Sequence, residues 1–143
     1  MNLTIQVGPT FEGRSQPVLY LGEDAIFYGR REKGTRNQAV HATERLFGPL
    51  QWSEHDGNRI ADLRPEHGVR VVLVVKEVQP GQWQCQIRQA AGGHCLFNTV
   101  RRARVRDVQI FAERVWPNLR WQDPPAALQH SEPEVRLVAY LNF

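Results

Sequence analysis

Lysine is nearly absent from this chain. Of eighteen basic residues only Lys33 and Lys76 carry an ammonium group, and the other sixteen are arginines. Fifteen acidic residues leave a net charge of +3, too small to imply a polyanionic partner by itself. Two readings of the arginine bias compete. A GC-rich genome favours arginine codons without any function. Alternatively, guanidinium groups are used because they grip phosphate and stack on bases better than ammonium groups do. Only the positions of the arginines separate these readings.

Other absences exclude whole classes. No apolar run approaches the roughly 20 residues that a bilayer crossing needs, so no membrane partner is expected. Residues Met1 to Val7 alternate in polarity without a basic start, which reads as a strand and not as a signal peptide. The expectation is an intracellular, cytoplasmic protein whose two cysteines, Cys85 and Cys95, are reduced thiols. The five histidines (His41, His55, His67, His94, His130) are scattered, and no Cys or His pair has zinc-site spacing. His41 and Glu44 share one helix face but no partner ligand is in view, so neither a metal nor another cofactor is expected. A Walker loop, a dinucleotide fingerprint and a G-x-S-x-G nucleophile motif are all missing. There is no internal repeat.

What the chain does have is a hydrophobic share of 41% over 143 residues, enough for a core in one domain, 1–143. The most β-branched stretch is Val69-Arg70-Val71-Val72-Leu73-Val74-Val75, apolar on both faces, as an interior strand is. Pro80-Gly81 marks a turn, and Trp83, Cys85 and Ile87 then alternate with Gln82, Gln84, Gln86 and Arg88. A second turn at Gln89 to Gly93 leads into His94 to Val100, closing a central meander over 69–100. With Ala90 and its neighbours as the loop, a register centred there pairs Trp83 with Phe97 and Cys85 with Cys95.

Around the meander, Leu3 to Val7 reads as a half-buried strand, and Pro17–Leu21 with Ala25–Tyr28 as a hairpin about Gly22. Thr35 and Gln38 form a capping-box pattern before the helical stripe Ala39, Val40, Thr43, Leu46, Phe47, which Gly48-Pro49 ends. Leu50 to His67 carries little pattern beyond a short strand near Ile60. Val108, Phe111, Ala112 and Val115 indicate a second helix, with Asp107 as its cap. Residues 118–134 read as irregular and Val135 to Phe143 as a last strand. The fold expected is α+β: a mostly antiparallel sheet of about six strands with two helices.

Two arginine-rich segments are the candidate sites. In the first, Arg30, Arg31, Lys33 and Arg36 flank a glycine-bounded loop opening into a helix N-terminus. Cations are locally unfavourable there unless an anion is bound in trans. Its bland alternative is a solvated loop paired with Glu23, Asp24 or Glu32. In the second, Arg101, Arg102, Arg104 and Arg106 extend the last hairpin strand. As a strand, Arg102, Arg104 and Arg106 would form a row about 7 Å apart, near the phosphate spacing of an extended single strand. The alternative is a charged edge that blocks pairing with another chain. Tyr28 and Trp121 are the aromatics best placed to stack bases, while Phe27, Trp83 and Trp116 belong to the core.

The reading is therefore a small non-enzymatic nucleic-acid-binding protein, for DNA or RNA, that contacts phosphates through these arginines. Its rival is a regulatory or adaptor domain that binds an acidic protein surface, with Trp121 and the proline-rich 117–133 stretch as an anchor. A third reading is a small metal-independent ribonuclease built on Glu77, Arg88 and His94.

Overall fold

A computed structural model describes residues 2–9, 12–30, 32–33, 36–63, 70–89 and 95–142, without the side chains of residues 32, 33, 95, 96 and 142. The chain divides into two compact units, residues up to 69 and residues 70–142. Among the described residues the class is α+β with antiparallel pairing, as expected, but the counts exceed the expectation. Nine sheet strands replace about six, five in the first unit and four in the second, and three helices replace two.

In the first unit, β1 (Leu3–Val7), β3 (Pro17–Leu21), β4 (Asp24–Gly29), β6 (Ser53–His55) and β7 (Asn58–Asp62) pair in the order β6-β7-β1-β3-β4. Two-residue strands β2 (Arg14–Ser15) and β5 (Glu32–Lys33) pair beside them. Alternation places Ile5, Val7, Leu19 and Leu21 in the core. Helix α1 (Arg36–Phe47) buries Ala39, Val40, Thr43, Leu46 and Phe47, the stripe expected, with Ala42 added. Val7, Ala39 and Val40 form one cluster with Trp52 against it. The buried Thr43 hydroxyl donates to Ala39 O at 2.9 Å, so it costs the core no unpaired group. Gly48 ends the helix at φ 83°, its N–H on Glu44 O. The expected Thr35 cap lies outside the described residues.

The weakly patterned stretch contains a hairpin. Asp56 and Gly57, at φ 50° and 80°, form the two-residue loop between β6 and β7, the geometry in which both central residues need positive φ. All three residues of β6 are exposed, so no apolar alternation advertises it.

In the second unit, β8 (Arg70–Gln79), β9 (Gln82–Gln89), β10 (Cys95–Asn98) and β11 (Val135–Asn142) pair in the order β11-β8-β9-β10. Val71, Leu73 and Val75 face one side with Cys85 and Ile87 opposite them on β9, all fully buried. Helix α2 (Val105–Val115) packs on β9 and β8 through Val108 and Ala112. On the other side Val72, Val74, Val135 and Val138 form a second cluster, against which Leu128 of α3 (Ala126–Ser131) packs. Both faces of β8 are covered, as its sequence requires.

Three expectations for this unit need correction. Phe97 stands opposite Ile87, not Trp83, and Cys95 opposite Arg88, not Cys85, with a register irregularity between Cys95 and Phe97. Strand β9 runs on to Gln89, and the pairing with β10 is centred farther along the chain than expected. From Phe97 on the displacement is even, four residues on β9, so Phe97 still meets an apolar partner, whereas at Cys95 it is three, across the irregularity. The wet face expected for Gln86 and Arg88 is instead covered, and both are buried. The cause is the third correction: residues 118–134 are not wholly irregular but include α3, followed by Glu132, which reaches Arg88.

Candidate functional site

The second unit carries the clearest cationic surface. After β10 the chain does not continue as a strand through 106. Arg102 makes a single antiparallel bridge with Trp83, exchanging N–H···O bonds of 2.7 and 2.9 Å. Arg104 is the extended N-cap residue of α2, without a side-chain cap bond, and Arg106 lies inside the helix. The expected row of guanidinium groups on one strand face is thus replaced by a turn into a helix. The apolar period of Val108, Ala112 and Val115 decides this, because it fits a helix packed on β9 and fits no strand. Asp107, expected as the cap, sits in the first turn, where its charge complements the helix dipole.

The four arginines have different fates. Arg106 Nη1 donates to both carboxylate oxygens of Glu113 at 2.7 and 2.8 Å, which neutralises its charge. Arg101 Nη1 donates to Gln82 Oε1 at 3.1 Å, and Arg102 Nη1 donates to Arg101 O at 2.9 Å. The Arg102 guanidinium lies over the Phe111 ring, 5.3 Å from its centre. Arg101, Arg102 and Arg104 are all exposed, and none has an ion pair among the described residues. Arg36, Arg59, Arg88 and Arg106, in contrast, each meet a carboxylate. Val100, which directly precedes this segment, and Ile110 of α2 are exposed at 39% and 43%.

The arginine-rich segment of the first unit is less available. Arg36 Nη2 donates to Glu54 Oε1 and its Nη1 to Gly57 O, both at 2.8 Å, tying the start of α1 to the β6–β7 hairpin. Arg59 reaches Asn37 and Glu54 beside it. Arg36 is therefore a tether, a role that only the β6–β7 hairpin makes visible. Arg30 is exposed at the end of β4 and Tyr28 is half-buried. Arg31 lies outside the described residues, as does the side chain of Lys33.

A third cluster has no signature in the sequence. Arg88 is only 4% exposed. Its Nη1 donates to Glu132 Oε2 at 2.7 Å and its Nη2 to Glu132 Oε1 at 3.1 Å, while Nη2 and Nε also donate to Gln86 Oε1. Lys76 Nζ donates to Glu132 Oε1 at 2.8 Å. The hydrogen bond from Arg88, aided by Lys76, outweighs burial and holds the Glu132 carboxyl at about 2. Each guanidinium nitrogen of Arg88 already donates within the protein, and its bidentate edge is committed to Glu132 and not to a substrate phosphate. Of the other ribonuclease candidates, Glu77 Oε2 accepts from Gly81 N at 3.2 Å and His94 lies outside the described residues. Trp121, expected as an exposed stacking residue, is half-buried with its indole N–H buried and unpartnered. Among the described residues no group of three potential ligands is placed to hold a metal ion, and no helix is long and apolar enough to cross a membrane.

No protein-family model matches the chain, and no curated protein or solved structure resembles it significantly.

Proposed function

We propose that this protein binds nucleic acid, and that Arg101, Arg102 and Arg104 form its phosphate-contacting surface. One observation carries the reading. These three arginines lie within four residues, are exposed and have no carboxylate partner among the described residues, while Arg36, Arg59, Arg88 and Arg106 are ion-paired. Unpaired guanidinium groups repel one another, and a bound polyanion relieves that repulsion while releasing its own counterions. Arg104 precedes α2, whose first N–H groups and dipole add to the positive potential. No step of catalysis is part of this reading, because the Arg88 fork is committed to Glu132.

The proposal differs from the sequence expectation in which arginines it uses. Arg36 and Arg106 leave the surface, since each is matched to a carboxylate. A gel shift with single- and double-stranded DNA and RNA at moderate salt tests the reading. Retarded complexes that vanish in the variant R101A/R102A/R104A are expected. Equal retardation by that variant overturns the assignment of this surface.

The rival reading, an acidic protein partner, is favoured by the exposed Val100, which directly precedes the arginines, and the exposed Ile110 of α2, since interfaces combine apolar contacts with arginine. It expects no retardation of any nucleic acid, and capture of a partner that survives nuclease treatment.

A further inference from the structure

Within the proposed surface the three arginines are not equivalent. Among the described residues the Arg104 side chain makes no cap bond or ion pair, and Arg101 makes one bond, to Gln82. Arg102 is fixed three ways. Its backbone is paired to Trp83 on both its N–H and its C=O, its Nη1 is spent on the Arg101 carbonyl, and its guanidinium lies over the Phe111 ring. Phe111 is itself half-buried on α2, next to the buried Ala112. The guanidinium is thus supported from beneath by a ring anchored to the helix, yet the residue as a whole is exposed.

This arrangement is poorly suited to a point contact. A phosphate is best gripped by a guanidinium whose edge donors are free, and here one edge donor is already used. What Arg102 presents well is its planar face, pre-organised so that little side-chain entropy remains to be lost on binding. Arginine planes of this kind receive unstacked bases, and only single strands, loops and ends can offer such bases.

We infer that the partner is single-stranded nucleic acid. One unpaired base stacks on the outer face of Arg102, while Arg101 and Arg104 contact the phosphates that flank it. The inference rests on the phosphate-binding reading above and narrows it. A base in this position completes a sandwich of ring, guanidinium and base. Duplex offers the same phosphates but no free base face, so it gains only the contacts of Arg101 and Arg104.

The test uses fluorescence anisotropy of the full-length chain with a labelled single strand and with the matching duplex, at one fixed salt concentration. The wild-type protein is expected to bind the single strand more tightly. R102K, which keeps the charge and loses the plane, is expected to weaken single-strand binding about tenfold and leave duplex binding within about twofold. R104K, which replaces a phosphate-contacting fork by a point charge, weakens both forms alike and by less than R102K weakens the single strand. F111L, which keeps an apolar side chain but removes the supporting ring, reproduces the R102K pattern, with circular dichroism confirming the fold. Equal affinity for both forms, with R102K no worse than R104K, overturns the stacking inference while the phosphate reading stands. Absence of binding to either form overturns both.

Discussion

Replacement of Glu132 by Gln tests whether the segment containing α3 is latched by charge. Glu132 accepts two bonds from the buried Arg88 and one from Lys76. Its carboxyl falls from an ordinary 4.5 to about 2, and at about 1.4 kcal/mol per unit this corresponds to about 3 kcal/mol of stability at neutral pH. A group whose folded-state pKa is depressed stabilises above its unfolded pKa. Its contribution is lost as pH falls from about 4.5 toward about 2. Glu132→Gln leaves the guanidinium, buried on the Val72 and Val74 side of the sheet, without its counter-ion. That is expected to cost about 3 kcal/mol at pH 7. Urea unfolding at pH 7 and near pH 2 measures both parts. The gap between wild type and variant should be about 3 kcal/mol at pH 7 and nearly closed near pH 2. A gap below about 0.5 kcal/mol at pH 7 refutes the reasoning and makes the pair an ordinary surface contact. The double variant R88M/E132L should recover most of the loss, because it removes both charges together.

Two further substitutions probe the scaffold. A Cβ built on Gly29 comes within 2.5 Å of Pro17 Cγ and 2.9 Å of Pro17 O, so Gly29→Ala should separate β3 from β4 and lower stability by about 2 kcal/mol in thermal unfolding. The buried Thr99 Oγ1 accepts the Cys85 N–H at 3.0 Å. Thr99→Val removes that acceptor from the core and should cost about 1 kcal/mol by urea titration, whereas Thr99→Ser should cost less.

The range of an interaction along the chain decides whether the sequence displays it. Strand β8, its turn at Pro80-Gly81 and the stripe of α1 are set by local pattern, and they form where the pattern predicts. The β6–β7 hairpin is hidden because β6 buries nothing, although Asp56-Gly57 is a strong turn signal in its own right. Helix α3 is hidden for the same reason. It has no buried residue, and it is held by Leu128 on the sheet and by the Glu132 ion pairs just beyond its end. The Cys85–Cys95 register fails because it takes a regular ladder for granted, and an irregularity such as the one between Cys95 and Phe97 has no signature in the sequence.

The site is less legible than the fold. The sequence marks the arginines but not their partners. Glu54 lies 18 residues from Arg36, Glu132 lies 44 from Arg88, and Glu113 lies 7 beyond Arg106. Removing Arg36 and Arg106 from the cationic surface therefore requires the tertiary structure, as does recognising that Arg102 rests on Phe111.

The central claim, that the exposed Arg101, Arg102 and Arg104 surface binds nucleic acid through its phosphates, is tested most directly by the salt dependence of binding. Affinity of the full-length chain for a single-stranded oligonucleotide is measured from low to physiological salt, for wild type and for R101A/R102A/R104A. Each phosphate contact contributes about 0.7 to the slope of log affinity against log salt on a single strand, so losing the contacts of Arg101 and Arg104 should flatten it by about 1.4. An unchanged slope with unchanged affinity would contradict the account.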